Sequence, residues 1–185
     1  AHLHYRLAHL AVQDQDMERA LELARQGFAL DPDDVDGRLF LARLYRLVRQ
    51  DHAAEAVLLG EAGVPPNAEA ALLLYQLYLE KGRFNDALRT AKALRAKEPE
   101  MLGAAMAVAA ADESMGRYPE AEEALRDALK DHPNRIVIYS RLARMRRSQG
   151  DRAGEAALYR EMLEERPGQY GNCLLYTSPS PLDRG

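Results

Sequence analysis

Arginines at a spacing of three residues are the part of this sequence best suited to bind a ligand. Arg141, Arg144 and Arg147 follow one another at this spacing, which places them on one face of a helix. A guanidinium group matches the planar geometry of a carboxylate, so the row favours an acidic ligand. The alternative is a solvated helix face, because charges on helices commonly serve solubility.

The sequence lacks the residue patterns of catalytic and metal sites. The five histidines have no HExxH-like spacing, and the single cysteine, Cys173, excludes a thiolate metal site. Neither a glycine-rich phosphate loop nor a nucleophile elbow occurs in the chain. We therefore predict that the protein is not an enzyme and that it needs no cofactor and no metal.

The composition argues against nucleic acids and a membrane span. The 185 residues carry 25 basic and 29 acidic side chains, a net charge of -4, without a basic stripe flanked by aromatic residues. The longest apolar stretch, Leu102 to Ala111, has about half of the ~20 residues that a spanning helix needs. No signal-peptide pattern is visible, so the compartment stays open between the cytoplasm and the bacterial periplasm.

A period of about 34 residues organises the chain. Five prolines are separated by 34, 33, 34 and 34 residues, namely Pro32, Pro66, Pro99, Pro133 and Pro167. Apolar residues repeat with the same four steps at Leu7, Leu41, Leu74, Val108 and Leu142. A fixed period of this length is the sequence signature of a repeat architecture.

Each period contains two helices. Apolar residues recur within it at helical spacing, and glycines such as Gly82 and Gly116 mark the break between the helices. The prolines end the second helix, because the residue before a proline is disfavoured in the helical region. We predict ten helices, at residues 1–13, 17–30, 35–48, 52–63, 68–81, 84–97, 101–115, 118–131, 135–148 and 152–166.

These motifs resemble the tetratricopeptide repeat (TPR), a helical hairpin with a period of about 34 residues. Its pattern has a leucine and a tyrosine in the first helix, an alanine in the second helix and a final proline. The third period carries these residues as Leu74, Tyr78, Ala87 and Pro99. Three of the five periods replace the tyrosine, by Ala11, Asp112 and Arg146.

The resemblance implies an all-α fold, an α-α superhelix (TPR solenoid) of about five helix-turn-helix hairpins. The five repeats are predicted at residues 1–34, 35–67, 68–101, 102–135 and 136–169. A single hairpin of this kind cannot bury its apolar face, so neighbouring hairpins stack and share one core.

The resemblance also implies a role as a protein–protein interaction scaffold. In the family, the first helices line a concave groove that holds an extended peptide or a helix. The residues that match the groove positions are Tyr5, His9, Leu39, Arg43, Arg46, Leu72, Gln76, Met106, Arg141, Arg144 and Arg147. We predict a protein or peptide ligand with acidic groups near Arg43 and the arginine row. Two other functions stay open: the regulatory or docking array of a larger enzyme, and an assembly factor of a bacterial envelope or secretion system.

Residues 170–185 do not continue the period. The segment from Cys173 to Pro181 back-translates, in one frame, to TGT CTC TTA TAC ACA TCT CCG AGC CCA, which resembles the transposon-end adaptor of tagmentation sequencing libraries. We expect residues 173–185 to be translated adaptor, and the chain to be a bacterial metagenomic fragment with further repeats or domains beyond both ends. The alternative is a disordered, proline-rich tail.

Overall fold

The computed structural model describes residues 1–132 and 135–165, and in these ranges it contains ten α-helices and no β-strand. The predicted tail of residues 170–185 lies outside the described residues. The helices are α1 (His2–Gln13), α2 (Met17–Leu30), α3 (Val35–Leu47), α4 (Asp51–Leu59), α5 (Ala68–Glu80), α6 (Phe84–Lys97), α7 (Leu102–Ser114), α8 (Tyr118–Asp131), α9 (Arg135–Ser148) and α10 (Arg152–Glu165).

The helices belong to two compact units. The first unit, Ala1–Met115, contains α1 to α7, and the second unit begins at Gly116 and contains α8 to α10. Within each unit, every helix packs against the next helix in the chain. In the described part of the chain, none of the helices has both the length and the apolar character needed to cross a bilayer.

Alanines allow the helices of a hairpin to approach closely. Ala8 and Ala20 in the first hairpin, and Ala42 and Ala54 in the second, are fully buried. Ala87 in α6 is fully buried as well. A larger side chain at these points would overpack the core and push the helices apart.

The turn inside each hairpin uses one left-handed residue. Gly82, Gly116 and Gly150 have φ angles of 69°, 72° and 77°, and Gln15 and Arg49 take the same place in the first two hairpins with φ angles of 61°. The left-handed conformation costs a residue with a Cβ roughly 1–2 kcal/mol. The backbone is therefore strained at Gln15 and Arg49 in the first two turns, and it is not strained at the glycines of the last three.

We expect Gln15→Gly to raise the free energy of unfolding by about 1 kcal/mol, because glycine adopts the left-handed conformation without this cost. Gly116→Ala should lower it by about the same amount. No atom lies within 4 Å of a Cβ added at Gly116, so the backbone accounts for the change. Urea denaturation measures both variants, and a shift of the same sign in the two would contradict this assignment of strain.

A polar contact joins the first helix of one hairpin to the second helix of the hairpin before it. Tyr45 in α3 accepts a hydrogen bond from Arg25 Nε in α2 at 2.9 Å. Tyr78 in α5 donates one to Glu55 Oε1 in α4 at 2.7 Å. Both tyrosines are buried, so each contact fixes the register of two neighbouring hairpins from within.

Arg146 preserves this contact where the tyrosine is replaced. It forms an ion pair with Glu122 in α8, and Glu122 occupies the same position in its repeat as Glu55 does in the second repeat. A second, longer pair joins Arg146 to Asp151 at 3.6 Å. The replacement thus changes a hydrogen bond into an ion pair and leaves the two helices connected.

Glu55 is held by two donors at once. Besides the Tyr78 hydroxyl, it accepts a hydrogen bond from Arg83 Nη1 at 2.6 Å, and the Arg83 guanidinium lies over the Tyr78 ring at 4.4 Å. Burial by itself would raise the pKa of Glu55, but the hydrogen bonds from Arg83 and Tyr78 outweigh burial and lower it. Burial raises the pKa of Tyr78 to about 12, and Glu55 adds to this rise.

The free energy of unfolding should fall as the pH drops through the folded-state pKa of Glu55. A carboxyl whose pKa is lower in the folded chain stabilises that state above its unfolded pKa, and the gain is lost as the group is protonated. Glu55→Gln should therefore lose less stability than the wild type between pH 5 and pH 3, as measured by urea denaturation. Glu61→Gln, at an exposed glutamate of the next loop, is the control. Identical pH profiles for wild type and Glu55→Gln would contradict this role.

Helix α4 is shorter than predicted. The predicted helix 52–63 ends at Leu59, because Gly60 takes a φ angle of 58° and Gly63 one of 66°, which break the helix before Pro65. The second helices of the other four hairpins all have 14 residues, whereas α4 has 9. Residues 60–67 form a loop where the other hairpins continue as helix.

Candidate peptide groove

A groove of about 670 Å³ lies between α3 and α5 in the first unit. Four candidates from the sequence meet in it: Arg43, Arg46, Leu72 and Gln76. The remaining lining residues are Leu47, Arg49, Asp51, Glu69, Leu73 and Glu80. The stacking of α5 against the preceding hairpin therefore places these four candidates on one surface.

The charges of the groove are balanced. Arg43 forms an ion pair with Glu69, and Arg46 Nη2 lies 2.6 Å from Glu80 Oε1. Arg49 and Asp51 add one charge of each sign, which makes three guanidinium groups and three carboxylates in the lining. An acidic ligand therefore gains little long-range attraction from the groove, and short-range contacts must select it.

Leucines lie between these charge pairs. Leu47 at the end of α3 is 66% exposed, and Leu72 in α5 is half-buried. Gln76 is exposed one turn after Leu72 and offers an amide to a ligand backbone. Apolar contacts rimmed by polar groups are typical of surfaces that bury the side chains of a partner.

An aromatic cluster lies on α1 and α3, one turn before Arg43. The rings of His9 and Phe40 are 4.2 Å apart and tilted by 32°, and Tyr5 meets Phe40 edge-on at 6.1 Å. His9 is exposed and Phe40 is half-buried, so both rings can contact a ligand. The cluster extends the candidate surface from α3 onto α1.

Tyr5 itself lies in the core. A Cβ added at Gly37 would stand 2.1 Å from the Tyr5 ring, so the ring packs directly on the backbone of α3. The Tyr5 hydroxyl makes no hydrogen bond to any described residue. Burial, with Asp34 and Asp31, raises the pKa of Tyr5 to about 12. Tyr5 therefore supports the cluster from below, and its ring is not available to a ligand.

The other candidates lie apart from this groove. Leu39 is 2% exposed, so it is a core residue that a ligand cannot reach in this conformation. Met106 is half-buried on α7. The arginine row lies on α9 in the second unit, where Arg141 is half-buried and Arg144 and Arg147 are exposed.

Arg147 is engaged within its own hairpin. Its Nε donates a hydrogen bond to Glu155 Oε1 in α10 at 2.8 Å. This hydrogen bond lowers the pKa of Glu155. Arg144 forms no ion pair within the described ranges, so it is the member of the row that is better placed for a carboxylate.

Sequence reasoning misses two of the three carboxylates that line the groove, since only Glu80 is among the groove positions of the third repeat. Glu69 and Asp51 line the groove, yet neither is among the candidates. A signal for Glu69 exists, because it is the second residue of its repeat and that position faces the groove in proteins that these motifs resemble. The sequence gives no comparable signal for Asp51, which starts α4 and pairs with Lys81.

Comparison with known proteins identifies the repeat. The family model described as tetratricopeptide repeat matches residues 102–145, which include α7 and α8 and most of α9. Solved TPR structures match 91% and 95% of this chain. The described part of this chain contains ten helices. The chain contains a tetratricopeptide repeat and has the fold of TPR proteins.

Three solved structures illustrate the likeness of this TPR chain. MamA from Desulfovibrio magneticus RS-1 is 18% identical with a TM-score of 0.66, over 90% of this chain and 96% of that chain. A tetratricopeptide repeat protein from Parabacteroides merdae ATCC 43184 is 16% identical with a TM-score of 0.70, over 91% and 68%. A thermophilic TPR protein from Thermus thermophilus is 21% identical with a TM-score of 0.56, over 95% and 96%.

These likenesses establish the fold. The predicted all-α TPR solenoid of about five hairpins is confirmed. A comparison with curated proteins gives no significant match. Fold does not determine function, so the ligand has to be argued from the groove of this chain.

Proposed function

We propose that this TPR protein is an interaction scaffold that binds an extended peptide or a helix in the groove between α3 and α5. The observation that carries the proposal is the lining itself, in which exposed Leu47 and half-buried Leu72 lie between charged pairs. The fold supports the same role, since stacked repeats present extended binding surfaces. The proposal assigns binding to this groove and no catalysis.

The ligand carries apolar residues and at least one carboxylate. Its apolar residues contact Leu47 and Leu72, and its carboxylate reaches Arg43, which is 53% exposed on its side chain and gives one hydrogen bond to Glu69. A guanidinium group has five N–H donors, so Arg43 can hold Glu69 and a ligand carboxylate together or exchange one for the other. Because the lining is neutral as a whole, apolar burial supplies the affinity and Arg43 sets the register.

Peptides selected on the full chain from a random-peptide display library are the probe. Arg43→Ala should weaken their binding about tenfold, which corresponds to the loss of one charge-assisted hydrogen bond. Glu69→Gln should tighten binding, because it removes the carboxylate that competes for Arg43. Isothermal titration calorimetry measures both affinities, and the prediction is that they move in opposite directions.

Arg89→Ala is the matched control, since Arg89 is exposed, pairs with Asp86 and lies on α6 outside the groove. It should leave the affinity unchanged. If Arg43→Ala has no effect, or if Glu69→Gln weakens binding as well, the carboxylate does not bind Arg43. If Leu47→Asp and Leu72→Asp also leave binding unchanged, the groove is not the binding surface.

A further inference from the structure

A second cavity, of about 380 Å³, lies against a different face of α5. Helix α5 presents Leu72 and Gln76 to the peptide groove and Ala71 and Leu74 to this cavity. The loop of residues 60–67 forms one wall and α6 forms the other. The two surfaces share no lining residue, so each can be occupied without the other.

The cavity exists because α4 ends early. In the other four hairpins the second helix continues, and the residue at the same repeat position near its end is buried: Gly27, Leu94, Ala128 and Met162. The residue at this position after α4 is Glu61, which is exposed in the loop. Leu94, Ala128 and Met162 fill this space with apolar side chains, and in the first hairpin the Tyr5 ring packs against Gly27. In the second hairpin the space is left open.

The walls of the cavity are mainly apolar. Leu59, Val64 and Pro65 line it from the side of α4 and the loop. Leu74 and Leu94, which are 1% and 4% exposed, close it at the bottom. A concave apolar site of several hundred cubic ångströms with a few polar groups at its edge is typical of small-molecule pockets.

The polar edge of the cavity is cationic. Arg89 and Lys97 line it on α6, against one acidic residue, Glu98. Arg89 is held by Asp86. Lys97 is exposed and has no ion-pair partner within the part of the chain that the structure describes. With Arg89 paired to Asp86, Lys97 is the basic group of the lining that is available to a ligand anion.

We propose that this cavity binds a small amphipathic organic anion, with an aromatic or aliphatic body and one carboxylate or sulfonate group. The apolar body takes the place of the side chains that the missing end of α4 would supply. The anionic group faces Lys97 at the edge, where an ion pair with an accessible ammonium group costs little desolvation. This site goes beyond the peptide groove and does not depend on it.

Two fluorescent probes that differ by one sulfonate group test the proposal on the full chain. 8-Anilinonaphthalene-1-sulfonate is the anionic probe, and N-phenyl-1-naphthylamine is its neutral counterpart. Ala93→Phe narrows the cavity from α6 at an exposed position, so the variant keeps its core, and it should weaken binding of both probes at least tenfold. Ala96→Phe, on the same helix but outside the lining, should change neither affinity.

Lys97→Gln separates the anionic group from the apolar body. It should weaken binding of the sulfonate probe several-fold and leave the neutral probe unchanged, while Lys92→Gln on the same helix should affect neither. Saturable binding that survives Ala93→Phe, or the absence of saturable binding, would overturn the site. Equal effects of Lys97→Gln on the two probes would overturn the assignment to an anion. Peptide binding measured in parallel keeps a failure here distinct from a failure of the groove.

Discussion

The first helix of a hairpin buries one of its faces only against the hairpin before it. Leu41, Leu74, Val108 and Leu142 share one repeat position and are at most 3% exposed, whereas Leu7 at the same position of α1 is 43% exposed. The difference arises because α3, α5, α7 and α9 each pack against a preceding helix of their own unit. Burial of this face is the constraint on which the remaining features depend.

Stacking produces the two candidate sites on α5. It brings α5 against the preceding hairpin, so that Glu69 pairs with Arg43 and a groove forms between them. If α4 had the length of the other second helices, it would also cover the face of α5 that carries Ala71 and Leu74. Because α4 ends at Leu59, that face lines a cavity instead. The early end of α4 thus adds a cavity beside α5 to the groove between α3 and α5.

The fold could be predicted from the sequence because its signals are local. A proline marks the end of every period, a glycine separates the two helices in the last three periods, and the apolar spacing between these residues is helical. The end of α4 was predicted wrongly, since Ala62 and Val64 continue an apolar pattern that the left-handed Gly60 interrupts. Helix propensity alone predicts such a helix end poorly, because tertiary packing overrides it.

The groove was predictable only in part. Its cations follow from the repeat positions that face a ligand in TPR proteins, and Arg43 and Arg46 lie in the lining. The acidic partners of these two arginines are 26 and 34 residues away in the sequence. Spacing rules within one helix therefore cannot predict these ion pairs. Leu39 occupies a groove position by number but lies in the core, because burial depends on the side chains around it.

The free energy of unfolding of two matched variants tests the stacking constraint most directly. Leu41→Ala should cost about 2–5 kcal/mol, since it leaves a cavity between two packed hairpins. Leu7→Ala, at the same repeat position of α1, should change stability by only about 0.5 kcal/mol, because the side chain is partly exposed. Equal costs for the two variants, measured by urea denaturation at one pH and temperature, would contradict the account.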